Sequence, residues 1–186
     1  MQHMKTPTNE SNRFAILNQR SRRRQRGASL LEAIAYLGIA AIVVIGAVAL
    51  LNGAFSSAST NELSEQVTAI QTGVKKLYMG QSGGYADLSN TVLVSAGVLP
   101  ATVTVSSAGA VTNSWGGAVT VAGTATNFTI QYAEVPASVC VNAVTGGGGW
   151  TSIKIGSTTE GTLPIAPSQA ATDCGSAPVT IVWTSL

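Results

Sequence analysis

The chain has 186 residues, of which 45% are hydrophobic and only 10% are charged, and its net charge at neutral pH is +2. Residues 1–27 hold seven of the ten basic residues, whereas residues 28–186 hold three lysines, seven acids, and no histidine or arginine. The net positive charge therefore comes from residues 1–27, and it gives no support for a nucleic-acid surface on residues 28–186. The missing residue types also exclude Ser-His-Asp and Cys-His catalysis, histidine metal sites and arginine phosphate clamps there.

The chain begins with a polar, basic segment that is followed by a long apolar run. Residues 1–26 contain Pro7 and an arginine cluster, and this composition predicts disorder. The 22 residues of Leu30–Leu51 contain one charge, Glu32. As a helix, this run is about 33 Å long, enough to cross a bilayer, and the preceding basic residues predict a cytoplasmic N-terminal end. The apolar region of a cleaved signal peptide is shorter.

The helical pattern continues beyond the apolar run. An apolar stripe at spacings of 4, 3, 4 and 3 residues predicts one helix from about Ser29 to Met79, ended by glycines from Gly80 onward. The stripe consists of Leu63, Val67, Ile70, Val74 and Leu77. The polar residues expected largely on other faces are Glu62, Glu65, Gln66, Lys75 and Lys76. Because its first half is apolar all round, that half needs lipid or copies of itself, whereas the amphipathic second half needs a globular domain.

The sequence of residues 80–186 contains both helical and strand patterns, which is typical of a domain with mixed secondary structure. Ser89 or Asn90 is expected to cap a short helix, and Pro136 is expected to begin a helix that ends at "GGGG". The segment "PSQAATDCG" is predicted as a helical turn. Strands are predicted at "GAVTVAG", "NFTIQYAEV", "WTSIKIG" and "PVTIVWTSL". About four strands packed on one long helix predict an α+β fold.

The two cysteines, Cys140 and Cys174, both follow the apolar run. An even pair in a chain that has the features of an exported protein predicts a disulfide. Two free buried thiols are the alternative.

Few other residues suggest chemistry. Asp87, Asp173 and five glutamates show no spacing typical of acid–base pairs, and "GGGG" lacks the Lys-Ser/Thr of a phosphate loop. Trp115, Trp150 and Trp183 are expected in the core or an interface, with Trp150 the best candidate for exposure and ligand stacking as the alternative. The sequence therefore predicts no catalytic residue, no metal site and no cofactor.

Glu32 has two interpretations. It is either a carboxylate tolerated near the end of a membrane span, or it is paired with a cation. If the chain is cut after Gly27, the α-amine of Ala28 is positive at neutral pH and lies one helical turn from Glu32. Within packed apolar helices, such a pair would set the register of neighbouring subunits.

The segment "RQRGASLLEAIAYLG" resembles the class III signal of type IV prepilins, with Gly27 at the cut and Glu32 as the fifth residue after it. The helix resembles the N-terminal pilin helix, and the cysteine pair resembles the pilin disulfide region. The leader length and "PASVCVNAVTGGGGWTSIKIG" are more similar to the type IVb branch, which includes pilins of thin conjugative and enteric adherence pili.

The resemblance implies a pilin fold and a sequence of events. A prepilin peptidase cleaves after Gly27, Ala28 is N-methylated, and the subunit waits in the inner membrane. An assembly platform then adds it to a helical homopolymer outside the cell, where Glu32 sets the register and the head faces a host or recipient-cell surface. The expected organisation is a leader (1–27), an apolar transmembrane and assembly helix (28–52), its amphipathic continuation (53–79) and a globular head (80–186).

The sequence thus predicts a structural subunit of a type IV pilus, with no enzyme activity and no nucleic-acid partner. A minor pilin or a type II secretion pseudopilin shares the same signal and helix and is the alternative. A further and less favoured alternative is an exported binding protein with a membrane anchor.

Overall fold

The structure is a computed structural model that describes residues 29–186. The predicted leader, with the cleavage residue Gly27 and the following Ala28, lies outside the described residues. The chain divides into two compact units between Gly46 and Ala47.

The described residues form helices and strands in an α+β arrangement. The helices are α1 (Leu30–Leu77), α2 (Asn90–Ser95), α3 (Ala137–Thr145) and α4 (Pro167–Cys174). The strands are β1 (Thr104–Val105), β2 (Val111–Thr112), β3 (Ala118–Gly123), β4 (Phe128–Val135), β5 (Ser152–Ile155), β6 (Thr158–Glu160) and β7 (Val179–Ser185). The predicted fold class, a long N-terminal helix with an antiparallel sheet, is confirmed.

The seven strands form one sheet in the order β1-β2-β3-β4-β7-β5-β6, and every pair is antiparallel. The C-terminal strand β7 lies between β4 and β5, so the last residues of the chain are central to the sheet. Alternate side chains of β4 and β7 point into the core, as the period of two requires. The buried members are Phe128, Ile130, Tyr132, Val135, Ile181, Trp183 and Ser185.

The second half of α1 packs its apolar stripe into the core as predicted, with two differences. Leu63, Val67, Ile70 and Val74 are buried, but Leu77, in the last turn, is exposed. Gln66, expected on a polar face, is only 2% exposed.

Gln66 is tolerated in the core because its amide has partners. Its Nε2 donates to Oε1 of Glu62 at 2.9 Å and to Oγ1 of Thr102 at 3.1 Å. Buried polar groups in native proteins are almost always hydrogen-bonded in this way. A helical period marks Gln66 as polar, but it does not reveal a hydroxyl 36 residues away that meets it.

The four predicted strands are present as β3, β4, β5 and β7, whereas β1, β2 and β6 were not predicted. These three strands have two or three residues each, which is too short for an alternating pattern to be visible. The longer strands β3 and β5 give β2 and β6 their backbone partners, and β1 pairs in turn with β2.

Helix α2 begins where predicted, but neither expected cap acts as one. Ser89 occupies the N-cap position without a side-chain hydrogen bond to the helix. Asn90 instead donates through Nδ2 to the carbonyl of Val119 at 2.7 Å and accepts from the N–H of Val121 at 2.7 Å. Its amide therefore replaces a backbone partner and fixes α2 against β3.

A bulge interrupts β4 between Tyr132 and Val135, and Glu134 there has a φ of 57°. The bulge is held by Asn113, whose Nδ2 donates to the carbonyl of Ala133 at 2.7 Å. Gly117 lies against the same carbonyl so closely that a Cβ would overlap it. Glycine is therefore required here for the approach of two backbones.

Candidate assembly surface

Most of the exposed large hydrophobic side chains among residues 29–186 lie between Leu30 and Phe55 of α1. Their exposed fractions range from 51% for Val48 to 80% for Leu30. Within the described part of the chain, α1 is the one helix long and apolar enough to cross a membrane, and none of its most apolar stretch is buried. Soluble proteins rarely leave so large an apolar surface uncovered. This surface therefore needs lipid or protein around it.

Glu32 lies in the first turn of α1, where a negative charge is favoured by the positive end of the helix dipole. Its backbone N–H donates to Oγ of Ser29 at 3.2 Å, and its Oε1 accepts from the hydroxyl of Tyr36 at 3.5 Å. Ser29 thus acts as an N-terminal cap. Since Ala28 is outside the described residues, the predicted pairing of its amine with Glu32 remains a prediction.

Neither Ser29 nor Tyr36 was singled out from the sequence as a contact of Glu32. The signals were present, since a serine three residues before a glutamate is typical of a helix start, and residues four apart share a helix face.

The glycines of the apolar half touch nothing that would require them. A Cβ built at Gly38, Gly46 or Gly53 meets no other atom of the described residues within 4 Å. Glycine can soften a helix or allow another helix to approach closely, and contacts among the described residues give no support for either role here.

Cys140 and Cys174 form a disulfide, with their Cα atoms 5.9 Å apart. The bond joins α3 to α4 and closes a segment that contains β5 and β6. Both cysteines are buried, so the bond is protected from solvent thiols. The N-terminal part of α3 also touches α1, where Oγ of Ser56 lies 3.1 Å from Oγ of Ser138.

The tryptophans mainly build the core. Trp183 is buried, its ring lies 6.0 Å edge-on from that of Tyr132, and it lies 6.3 Å from the ring of Trp150. Trp115 and Trp150 are half-buried. A cleft of about 140 Å³ lies between Trp150, the glycine loop and α1. Packing was the favoured interpretation, and the partial exposure of Trp150 agrees with its position beside that loop.

The acidic residues of the described part of the chain lie apart from one another or make local hydrogen bonds. Among residues 29–186, no group of three or more histidine, cysteine or acidic side chains is placed to hold a metal. Glu62 accepts hydrogen bonds from Gln66 at 2.9 Å and from Ser114 at 2.5 Å, and Asp173 accepts one from Gln169 at 3.0 Å. These carboxylates therefore serve local structure.

Two tyrosines have shifted acidities for the same main reason. Burial raises the pKa of Tyr132 well above its ordinary value, and the negative charge of Glu62 raises it further. Among the described residues, the buried Tyr132 hydroxyl has no hydrogen-bond partner. Burial, followed by the charge of Asp87, also raises the pKa of Tyr78. Neither hydroxyl is therefore prepared to act as a base near neutral pH.

A family model and solved structures are similar to this chain over part of its length. A family model described as "PilS N terminal" matches residues 57–186. The chain is similar to the crystal structure of a type IVb pilin from Salmonella typhi, with 26% identity and a TM-score of 0.54 over 64% of this chain and 95% of that one. It also aligns with TcpA, a type IV pilin from the El Tor biotype of Vibrio cholerae, at 14% identity and a TM-score of 0.48, over 69% of this chain and 99% of that one. No curated protein matches.

Proposed function

We propose, from the premise that this chain belongs to the PilS N-terminal family and has the type IV pilin fold, that it is a structural subunit of a type IV pilus that polymerises through residues 28–52. The observation that carries the proposal is the apolar first half of α1, which is exposed along its whole length. The family match begins at residue 57, so the roles of the residues before it rest on chemistry and on their resemblance to a prepilin signal.

Polymerisation through this helix is physically reasonable because the surface suits two environments. In a bilayer, the helix is covered by lipid tails. In a filament, it is covered by other apolar helices. Since lipid tails and leucine side chains are similarly apolar, the transfer involves little hydrophobic free energy. The assembly platform then needs mainly to move each subunit out of the membrane and to add the subunits one after another.

The residues around the start of the helix have assigned roles in this proposal. A prepilin peptidase cuts after Gly27 on the cytoplasmic side, and the new terminal amine of Ala28 is methylated. Glu32 pairs with the amine of a neighbouring subunit, or with its own, and sets the register. The subunit is held in the inner membrane before assembly and becomes part of an extracellular pilus, where the head faces a host or recipient-cell surface.

Mass spectrometry of the N terminus tests maturation. We expect a chain that begins at Ala28 and carries a methyl group. A chain that keeps residues 1–27 in cells that make the peptidase would contradict the proposal and favour a membrane-anchored binding protein. A bulky substitution, Gly27→Trp, is expected to leave the leader attached, because a peptidase site that accepts glycine has no room for an indole.

Electron microscopy of a deletion strain then separates the subunit classes. Complete loss of filaments is expected for a major pilin. Filaments that persist would indicate a minor pilin, and loss of secretion without loss of filaments would indicate a pseudopilin.

The register role is tested by Glu32→Ala, with Glu65→Ala as the matched control. Glu65 is an exposed acid on the second half of the same helix. We expect Glu32→Ala to insert in the membrane and be processed normally, while the filament yield falls at least tenfold. Glu65→Ala should keep the wild-type yield. Equal yields from the two variants would remove the register role from Glu32.

A further inference from the structure

We propose that Tyr36 is a positioning residue for Glu32, because its hydroxyl donates a hydrogen bond to the Glu32 carboxylate while the first half of α1 is surrounded by lipid. The inference rests on the proposed function, since the carboxylate needs to be positioned only if it later meets the amine of another subunit. It adds a second side chain, outside the region that the family model matches, to the assembly chemistry.

The geometry of the pair follows from the helix. Oη of Tyr36 lies 3.5 Å from Oε1 of Glu32, and the two residues are four apart. Residues at this spacing are neighbours on one face. Side chains of a helix lean towards its N terminus, so a tyrosine one turn after a glutamate reaches back to it, whereas the reverse order would point the hydroxyl away.

The environment gives this contact its importance. Between Ala33 and Leu51, Tyr36 is the one residue with a polar side chain. Ser29, on the other side of Glu32, already accepts a hydrogen bond from the Glu32 backbone N–H. A carboxylate near the end of a membrane span is still costly when nothing donates to it, because water is scarcer there than in bulk solvent. The tyrosine hydroxyl is therefore the donor within this helix that reduces that cost.

The contact also leaves the carboxylate ready for a second partner. A carboxylate has two oxygens that can each accept hydrogen bonds, and Tyr36 contacts Oε1. Oε2 stays available for the amine of a neighbouring subunit. Since Tyr36 limits the rotamers of Glu32, less conformational entropy is lost when that amine binds.

A spectroscopic experiment on the full chain in lipid bilayers tests the contact itself. The side-chain carboxyl carbons of glutamate are labelled with ¹³C, and the Glu32 signal is identified by its loss in Glu32→Gln. We expect Tyr36→Phe to shift this signal, because the substitution removes only the hydroxyl. Tyr85→Phe, in the head, is the control and should leave it in place. A Glu32 signal that is the same in Tyr36→Phe and the wild type overturns the inference.

The yield of filaments tests the role of the contact in assembly. Tyr36→Phe should lower the yield about threefold, the effect of losing one hydrogen bond in a membrane, with normal processing to Ala28. Because phenylalanine keeps the ring, a tyrosine that acts only by packing would give the wild-type yield, which would overturn the positioning role. If the wild-type chain itself forms no filaments, the proposed function fails, whereas the bilayer spectrum still decides whether Tyr36 and Glu32 are paired.

Discussion

The two halves of α1 have the same backbone structure but opposite surroundings. In the first half, large apolar side chains are exposed, and Ile42, for example, is 73% exposed. In the second half, Ile70 is fully buried. Both halves are helical although the first half contains many β-branched residues, so intrinsic helix propensity does not account for the difference between them. The difference lies in the partner. The second half has the sheet of its own chain, and the first half has an apolar surface that nothing in residues 29–186 covers.

This contrast separates two requirements on one helix. The second half must pack against one particular sheet. Its packing is therefore sensitive to small changes in side-chain shape, and it includes specific polar contacts such as the hydrogen bond from Gln66 to Thr102. In the proposed function the first half must suit lipid at one stage and protein at another, which explains why it is apolar apart from a few residues such as Glu32 and Tyr36. Substitutions in the second half should therefore change folding of the head, and those in the first half should change assembly.

The largest expected effect on the head is loss of the disulfide. Replacing Cys140 and Cys174 by serine should lower the free energy of unfolding by about 4 kcal/mol, because the sequence separation of 34 gives a long loop in the unfolded chain. Chemical denaturation of the chain in detergent measures this change, and helicity of the first half should persist. Ser176→Ala, at an exposed position near the bond, is the control. A midpoint unaffected by the double replacement would show that the disulfide does not stabilise the head.

The next effect compares two isoleucines of the same helix. Ile70→Ala should lower the free energy of unfolding of the head by about 3 kcal/mol, since it leaves a cavity in the core. Ile42→Ala should leave it unchanged, because Ile42 is 73% exposed and lies outside the core. Tryptophan fluorescence during denaturation follows the head, since Trp183 lies in the core. A similar loss from both substitutions would contradict the division between the halves.

A smaller loss is expected where a side chain replaces backbone partners. Asn113 is buried, donates to the carbonyl of Ala133, and accepts from the N–H groups of Trp115 and Gly117 at 3.0 and 2.8 Å. Asn113→Ala should cost about 2 kcal/mol, because these groups lose their partner inside the protein. The exposed Asn142, which makes one bond to Ser138, is the matched control and should cost less when it is changed to alanine. Equal costs would mean that the bulge does not depend on Asn113.

The smallest effect, with a distinctive pH dependence, is expected at Tyr132. Its hydroxyl is buried without a hydrogen-bond partner among residues 29–186, so Tyr132→Phe should leave the free energy of unfolding unchanged or raise it by about 1 kcal/mol at neutral pH. Burial and Glu62 raise the pKa of Tyr132 in the folded state above its ordinary value of 10.0. Above that pH the unfolded chain releases the proton while the folded chain keeps it, so stability falls as pH increases. Tyr132→Phe should reduce this alkaline loss in denaturation curves recorded from pH 8 to 11, and an unchanged slope would contradict the assignment.

Periodic features of the sequence were sufficient for most of the fold. The spacing of Leu63, Val67, Ile70 and Val74 predicted the packed face, and the alternation in β4 and β7 predicted the central strands. Contacts between distant residues were not predictable in this way. The burial of Gln66, the docking role of Asn90 and the position of Asn113 each depend on a partner from another element. A local pattern contains no information on which distant group a polar side chain meets.

The candidate site shows the same limit. Glu32 was conspicuous because a carboxylate interrupts an apolar run, and Gly27 and Ala28 were conspicuous through their resemblance to a prepilin signal. The spacing of four residues allowed a contact between Tyr36 and Glu32, but the structure was needed to place the hydroxyl beside that carboxylate. An aromatic residue in an apolar helix is otherwise unremarkable, since tyrosine is common near membrane interfaces.

The sequence by itself determined that this chain has one long helix with two kinds of surface, a sheet, and a cysteine pair, because hydrophobic periodicity and residue chemistry are local properties. The tertiary structure decided the order β1-β2-β3-β4-β7-β5-β6, the three short strands, and the polar residues that the core accepts. These depend on which backbone and side-chain groups meet after folding. Their free energies come from desolvation and hydrogen bonding between residues far apart in the chain, which no short window of sequence contains.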